Sequence, residues 1–213
     1  MEFLEFSLDS FYDESLQLAK LVERSGWRPD CVAYLAKGAW QIGEACGEYF
    51  NAPIIELSSH RSGESVKNGF QGILRVLPRP FRQLLRELEL RKRFEKVDDT
   101  VQRKSIKLTE RFSLPTDIRH LLIVDDAADT GSSLFAARDL INSLLPKVEV
   151  KTAVITSFPP ARDSGIVNFT LHKDSLLCSP MSKDNRDYPV ALSRYEKMGA
   201  PSNSVKLNNS KDA

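Results

Sequence analysis

The segment from Leu121 to Ser133, LLIVDDAADTGSS, constrains the fold more than any other part of the chain. Its continuous apolar run is typical of a central parallel strand that is covered on both faces. Two acids follow the run at once, then a short loop, then Thr-Gly-Ser-Ser at the start of a predicted helix from about Ser132 to Leu145. This order of elements predicts a parallel α/β domain, in which ligands bind at the carboxyl ends of the strands.

Each part of this segment has a use in binding a phosphorylated sugar. Free backbone amides at the helix start can hold a phosphate, and the neighbouring hydroxyls can add to them. A glycine in the loop lets the backbone approach the ligand closely. The carboxylates of Asp125 and Asp126 can accept hydrogen bonds from two sugar hydroxyls. The candidate phosphate-binding residues in this loop are Thr130, Gly131, Ser132 and Ser133.

The segment resembles the phosphoribosyl pyrophosphate (PRPP) signature of the type I phosphoribosyltransferases: four apolar residues, two acids, two variable residues and Asp-Thr-Gly. The resemblance implies that Asp125 and Asp126 contact the ribose 2′- and 3′-hydroxyls, and that Asp129 to Ser133 hold the 5′-phosphate. Ala127 and Ala128 stand where the family usually has larger aliphatic residues, which removes no ligand group. An ordinary strand–turn–helix with a capping side chain is the alternative interpretation.

A second loop, in AYLAKGAW, follows a predicted strand at Cys31–Leu35 and precedes a predicted helix from Trp40 to Phe50. In the family that the acidic motif resembles, the loop after this first strand binds pyrophosphate, commonly through a basic residue followed by glycine. The resemblance therefore implies that Lys37 pairs with the leaving group, while Gly38 and Ala39 offer backbone amides. A surface lysine in an ordinary turn is the alternative, since exposed lysine is common.

The family also has a mobile loop that closes over the substrate and excludes water. In this chain the sequence IELSSHRSG follows a predicted strand at Pro53–Leu57. The candidate start of the mobile loop is Ser58, Ser59, His60 and Arg61.

The resemblance implies that the donor ionises at C1 through an oxocarbenium-like transition state, with Lys37 and the loop amides stabilising charge on the departing pyrophosphate. It also implies a Mg²⁺ cofactor, which Asp125 and Asp126 would contact indirectly, through the ribose hydroxyls or water. Asp129 is the candidate general base, because an aspartate occupies this place in the 6-oxopurine branch of the family. A carboxylate here can equally order the loop amides, so both roles stay open.

The rest of the chain completes one α/β domain. Ser10 is a candidate helix N-cap near the start, and Val148–Phe158 is a further apolar strand. No buried strand is predicted between Ser58 and about Ile118. With the resemblance, the expected architecture is a type I phosphoribosyltransferase fold, an open, mainly parallel twisted sheet flanked by helices. Its expected parts are the domain at 1–198, a basic helical insert at about 65–115, a small C-terminal hood at about 157–198 and a disordered tail at 199–213.

The acceptor is a separate question. The 6-oxopurine salvage enzymes carry a lysine just after the strand that follows the phosphate loop, and an aromatic residue that stacks on the base. Here these stretches are ITSFPPARD, without a lysine, and DSLLCSP, without an aromatic residue, although Tyr188 lies further along. A site without these groups loses much of its discrimination for a purine. The remaining features resemble phosphoribosyltransferase-like proteins of bacterial surface-polysaccharide systems, which implies a glycan hydroxyl as acceptor, with 6-oxopurine salvage as the alternative.

The stretch from Gly69 to Val97 carries eight basic and three acidic side chains, a net charge of +5. Pro80 suits the first turn of a helix. An apolar stripe at helical spacing, opposite Arg82 and Arg86, is formed by Phe81, Leu84, Leu85 and Leu88. Two interpretations are open: the stripe packs on its own domain or on a second copy in a homodimer, or the basic helix contacts an anionic membrane surface.

Composition limits the partners and the cellular location that are expected for this chain. The formal net charge of +1 does not indicate a nucleic-acid partner. Cys31, Cys46 and Cys178 lie far apart without metal-binding spacing, which predicts free thiols in a reducing compartment. With no recognisable signal peptide or long apolar run, a cytoplasmic protein is expected, with peripheral contact at the inner membrane face as a variant. A non-catalytic PRPP-sensing regulator is the alternative from another class; retention of Asp129 beside both loops favours catalysis.

Overall fold

The computed structural model describes residues 1–60, 79–95, 105–109, 115 and 117–198, with part of the side chains of 79–95. The strands in these residues are β1 (Glu2–Glu5), β2 (Cys31–Ala36), β3 (Ile54–His60), β4 (Ser105–Leu108), β5 (His120–Ala128), β6 (Glu149–Ser157), β7 (Phe169–Lys173) and β8 (Ser175–Cys178). The helices are α1 (Leu8–Arg24), α2 (Trp40–Phe50), α3 (Arg79–Glu95), α4 (Ser132–Leu144), α5 (Pro159–Asp163) and α6 (Tyr188–Met198). The expected insert boundaries and the tail at 199–213 lie largely or wholly outside these residues.

The main sheet has six strands in the order β4-β3-β2-β5-β6-β7. Neighbours from β3 to β7 run parallel, and β4 pairs antiparallel with β3. The mainly parallel α/β sheet is therefore confirmed. Because β2 and β5 are adjacent and parallel, the two loops that the sequence singled out leave the same edge of the sheet side by side.

Strand β2 shows why this sheet needs helices on both faces. Val32 and Tyr34 pack into a cluster with residues of α1 and α2, while Ala33 and Leu35 pack into a second cluster with residues of α4. All four are buried. Alternate side chains of a strand point to opposite faces, so a strand that is apolar throughout requires cover on both.

Two expectations about the secondary structure were wrong: the N-cap of α1 and the absence of a strand between Ser58 and about Ile118. Ser7, not Ser10, is the N-cap of α1: the Ser7 hydroxyl accepts from the Ser10 amide, and the Ser10 hydroxyl accepts from the Ser7 amide. This reciprocal capping box satisfies two donors at the helix start. Strand β4 also occupies part of the region where no strand was predicted. Its four residues, SIKL, form a short edge strand whose Ile106 is buried.

Helix α3 lies in the stretch where a helix was predicted. Leu90 is buried in a small cluster with residues of β1 and β8, and the Phe94 ring lies 5.9 Å from the Phe158 ring. Three residues of the predicted stripe are exposed, Phe81 to 57%, Leu84 to 53% and Leu88 to 46%, while the side chain of Leu85 lies outside what the structure describes. Phe81, Leu84 and Leu88 therefore do not pack on the described part of their own domain.

The residues of the expected hood at 157–198 are in part joined to the main sheet and its core. Strand β7 extends the main sheet beside β6, and α6 packs on the core through Ala191 and Tyr195. Strand β8 pairs with the N-terminal strand β1 in a two-stranded parallel sheet. The element beside the main sheet is thus built from both ends of the described chain together with α3.

Across the described residues, no helix combines the length and the apolar character needed to cross a bilayer. All three cysteines are free thiols in buried positions. Burial raises the pKa of the Cys31 and Cys46 thiols to about 12 and that of Cys178 to about 11. These thiols therefore stay protonated and unreactive at neutral pH.

Candidate functional site

The candidate site lies at the carboxyl ends of β2 and β5. Tyr34 of β2 is in register with Val124 of β5, so the residues after each lie together. Lys37 and Gly38 follow β2 in a turn, where Lys37 is exposed and Gly38 half-buried, and the Ala36–Lys37 peptide is cis. The acids Asp125 and Asp126 are the residues that follow Val124 in β5.

Gly38 packs directly against the carboxylate of Asp126. A Cβ atom at position 38 would lie 2.8 Å from Asp126 Oδ2, closer than such contacts occur. A side chain at position 38 would therefore displace the carboxylate or the loop. The geometry brings the basic first loop and the acidic motif into one site, although about ninety residues separate them in the sequence.

The fold alters the acidity of Asp126. Desolvation raises its pKa, and the negative charge of Asp129 acts in the same direction. Ser179 partly offsets this, because its hydroxyl donates to Asp126 Oδ2 at 3.2 Å. Asp125 is oriented differently, with its Oδ1 accepting from the Asp126 amide at 2.9 Å. The pair therefore presents two carboxylates in unlike environments, of which Asp126 lies against the first loop.

The loop that was predicted to bind phosphate leads into the start of a helix, as expected. Gly131 has a φ of 75° and occupies the N-cap position of α4, a left-handed conformation that favours glycine. Its Cβ position is also closed, since an added atom would lie 2.5 Å from Ile166 Cγ2. Ser132 and Ser133 begin the helix, and the Ser132 amide donates to the Thr130 hydroxyl at 3.4 Å. The first amides of an α-helix have no carbonyl partner within the helix, and helix starts bind anions in many proteins for this reason.

Two sequence-based assignments need correction. The Ala39 amide already donates to the Leu35 carbonyl at 3.1 Å, so it is not the open donor that was expected. Ser58 to His60 are the last residues of β3, and they pair with β4 from Lys107 to Ser105. Three of the four expected loop residues are therefore strand residues, and Arg61 lies outside the described residues.

Several residues of the site carried no sequence signal. Ser179 reaches Asp126 from the turn after β8, 53 positions away. Arg86 of α3 donates to the Leu177 carbonyl and lies 2.5 Å from Asp184, and its charge opposes the raised pKa of Asp126. The ring of Tyr195 lies 5.8 Å from Lys37 Nζ. No local pattern marks such residues, because each acts through a contact between distant segments.

Solved structures with a similar fold come from several organisms. The xanthine-guanine-hypoxanthine phosphoribosyltransferase of Helicobacter pylori superposes with a TM-score of 0.58 at 14% identity, over 90% of this chain and 99% of that one. A purine phosphoribosyltransferase of Pyrococcus horikoshii gives 0.51 at 15% identity, over 84% and 92%. A Neisseria gonorrhoeae protein crystallised with bound ppGpp gives 0.51 at 14% identity, over 92% and 97%.

These similarities define the class of fold. The chain adopts the type I phosphoribosyltransferase fold, with its mainly parallel sheet and flanking helices. Neither a protein-family model nor a curated protein matches the sequence. The assignment of an activity therefore rests on the residues of the site.

Proposed function

We propose that this protein is a PRPP-dependent phosphoribosyltransferase that releases pyrophosphate. The observation that carries the proposal is the packing of Gly38 against Asp126, which unites a basic loop, a pair of acids and a phosphate loop at one sheet edge. This combination matches the three parts of the donor: pyrophosphate, ribose hydroxyls and 5′-phosphate. An ordinary strand–turn–helix with a capping side chain would account for the loop before α4, but not for the basic loop and the pair of acids beside it.

Each part of the site has a role in the proposed reaction. The amides of the first turn of α4, with Thr130, bind the 5′-phosphate. Asp125 and Asp126 accept hydrogen bonds from the ribose hydroxyls, which fixes the sugar relative to the first loop. Lys37 stabilises the charge that develops on the departing pyrophosphate as the bond to C1 breaks.

Asp129 has the remaining role beside the reacting centre. It removes the proton of the acceptor as the acceptor attacks, or it orders the loop amides around the 5′-phosphate. Its charge is close enough to Asp126 to raise the pKa of that carboxyl. We propose the base role, since the complete pair of loops favours catalysis and a protein that only binds the donor has no need of a general base.

Mg²⁺ fits this site only together with the donor. Among the residues that the structure describes, no group of three or more His, Cys, Asp or Glu side chains could hold a metal ion. Mg²⁺ commonly keeps several waters and binds through one or two carboxylates plus substrate phosphates, which suits Asp125 and Asp126. When bound, it would supply positive charge to the pyrophosphate.

The proposal predicts that donor binding depends on both acids of β5. In a folded Asp125→Asn/Asp126→Asn double variant, we expect the affinity for PRPP with Mg²⁺ to fall by about 100-fold or more. Two hydrogen bonds to charged groups, each contributing about 1.5–3 kcal/mol, are then weakened. Isothermal titration calorimetry measures the loss, with Asp139→Asn, on the exposed face of α4, as the matched control.

Unchanged PRPP affinity in the folded double variant would exclude the assigned site. Titration with ppGpp, the nucleotide bound to the Neisseria gonorrhoeae protein, tests the regulatory alternative in the same experiment. Binding of ppGpp without PRPP turnover would favour a sensor over a transferase.

For the acceptor, we propose a sugar hydroxyl of a surface glycan rather than a free purine. Leu176 and Leu177 are buried in core clusters, so the residues at the expected base-stacking position present no ring and no exposed apolar face. Phe158 is also buried, with its ring against Phe94. This arrangement supports an acceptor that does not need stacking, and 6-oxopurine salvage stays the alternative.

We also propose that α3 brings the protein into peripheral contact with an anionic membrane surface. The exposed stripe of Phe81, Leu84 and Leu88 supports this proposal, because it is an apolar face that the described domain leaves uncovered. The surrounding stretch has an excess of basic residues, which attract anionic lipid. A glycan carrier at a membrane would place the acceptor near the same surface.

A further inference from the structure

Glu56 is a buried carboxylate that the proposed chemistry does not use. It lies in β3, the strand that pairs with β2, and is only 3% exposed. Its Oε2 accepts from the Tyr34 hydroxyl at 2.7 Å and from the Tyr195 hydroxyl at 2.9 Å, and its Oε1 accepts from the Thr109 hydroxyl at 2.9 Å. Burial of a carboxylate is costly without such partners, so these three hydroxyls form the environment that makes it tolerable.

The hydrogen bonds of Glu56 join segments that are distant in sequence. Tyr34 belongs to β2, Thr109 follows β4, and Tyr195 lies near the end of α6. Tyr34 is itself held closely, since a Cβ atom on Gly43 of α2 would lie 2.7 Å from its ring. The carboxylate therefore fixes the C-terminal helix to the part of the sheet from which the first loop departs.

Tyr195 connects this buried network to the candidate pyrophosphate loop. The ammonium of Lys37 lies 5.8 Å from the centroid of the Tyr195 ring, within the range of a cation–π contact. A phenol that donates its proton toward a carboxylate has a more electron-rich ring, which attracts a cation more strongly. Glu56 thus both orients the ring and increases its attraction for the lysine.

We propose that Tyr195 is a positioning residue that holds the Lys37 ammonium in the pyrophosphate subsite, with Glu56 as its buried anchor. The inference rests on the proposed function, because it assigns Lys37 to the leaving group. A long lysine side chain loses rotamer freedom when it binds a ligand, and prior ordering by the ring reduces that loss. The C-terminal helix thereby contributes to donor binding without touching the donor.

The test compares two ligands that share the site but differ at the leaving group. Inorganic pyrophosphate probes the Lys37 subsite, and ribose 5-phosphate probes the acids and the phosphate loop. In Tyr195→Leu, we expect pyrophosphate affinity to fall roughly 2- to 30-fold, the range for loss of a cation–π contact, with ribose 5-phosphate affinity within about twofold. Tyr195→Phe keeps the ring but removes its hydrogen bond to Glu56, so we expect a loss of pyrophosphate affinity that is smaller than that of Tyr195→Leu. Tyr49→Leu, which removes a tyrosine that donates to Glu23, is the matched control and should change neither.

A ligand-free measurement separates this inference from the proposed function. The ε-methylene protons of Lys37, assigned with Lys37→Arg, should show an upfield ring-current shift in NMR spectra of the unsubstituted protein and of Tyr195→Phe. If Tyr195→Leu does not fold, this shift and the pyrophosphate affinity of Tyr195→Phe still test the positioning role of Tyr195.

Equal losses for both ligands, no loss for pyrophosphate in folded Tyr195→Leu, or absence of the ring-current shift would each overturn the positioning role. If the unsubstituted protein shows the shift but binds no pyrophosphate, the proposed function fails, and the assignment of Tyr195 to a pyrophosphate subsite fails with it.

Discussion

At the scale of single residues, Asp126 meets two opposed requirements. In the proposed function its carboxylate accepts hydrogen bonds from the donor, yet desolvation and the charge of Asp129 raise its pKa in the ligand-free fold. The fold therefore favours its protonated form relative to the unfolded chain. Such tension between stability and function is typical of binding sites.

The sign of the resulting pH dependence follows from linkage. Between the unfolded-state pKa, near 4, and the raised pKa of the fold, the native state binds more protons than the unfolded state. The stability contributed by Asp126 is therefore lost as the pH rises through that window. We expect Asp126→Asn to raise the Tm of the ligand-free protein at pH 7, because it removes the cost of ionising this carboxyl in the fold. The rise should be about 2–4 °C for each kcal/mol gained in the free energy of unfolding, and it should shrink toward pH 4.

Thermal unfolding followed by circular dichroism between pH 4 and pH 8 measures this difference. Asp139→Asn, at an exposed position of α4, is the control and should shift Tm little at any pH. A lower Tm for Asp126→Asn at pH 7 would show that the ionised carboxylate stabilises the ligand-free fold, contrary to this account. The same variant should lose donor affinity, so stability and binding should change in opposite directions.

At the scale of elements, α3 buries some of its described apolar side chains and exposes others. Arg86 secures it to the Leu177 carbonyl and to Asp184, while Leu90 and Phe94 provide the apolar contacts. The helix is therefore held in place by one face, and its outward face is available to an external surface.

The membrane proposal predicts sedimentation of the protein with vesicles that contain anionic lipid, but not with neutral vesicles. Each Lys or Arg near the surface adds about 1 kcal/mol of attraction, and the apolar stripe adds burial. We expect the substitutions Phe81→Ser, Leu84→Ser and Leu88→Ser, combined in one variant, to reduce the bound fraction at least tenfold. Val190→Ser, which removes another exposed apolar side chain, on α6, should leave binding unchanged.

Binding should also weaken as salt is raised, because the attraction is screened. The alternative is that a second copy covers the stripe. In that case the protein would not bind anionic vesicles, and sedimentation analysis would show a dimer for the unsubstituted protein and a monomer for the triple variant.

At the scale of the whole molecule, the acceptor is the open part of the reaction. In the proposed function the sheet edge binds the donor, whereas the positions where a purine site would have its stacking residue are occupied by buried Leu176 and Leu177. A site built to hydrogen-bond a substrate group can reject analogues by about 10⁴ to 10⁵, and a site without those groups cannot select the base.

We therefore expect hypoxanthine, guanine and xanthine to be poor acceptors, and saccharide hydroxyls to be better ones. Release of pyrophosphate, measured with PRPP, Mg²⁺ and each acceptor, gives the comparison. A folded Asp129→Asn variant should lose turnover with the best acceptor by about 10²- to 10⁴-fold if Asp129 is the base. Efficient nucleotide formation from any of the three bases would instead restore purine salvage.

The sequence by itself determined the parallel α/β class and the two loops that form the candidate site. Both depend on short-range patterns: apolar runs set the central strands, and contiguous residues such as Asp125 to Ser133 form one strand–loop–helix unit. Adjacent residues of one loop stay together whatever the rest of the chain does, so their chemistry can be predicted before the fold is known.

Only the tertiary structure decided which distant groups act on that site. The Ser179 bond to Asp126, the position of Tyr195 beside Lys37 and the orientation of α3 all join segments from different parts of the chain. Apolar spacing in a helix defines a stripe, but not whether a neighbour covers it. A raised pKa requires the exclusion of water by several elements at once. These properties arise from burial and long-range contact, which a local sequence pattern does not contain.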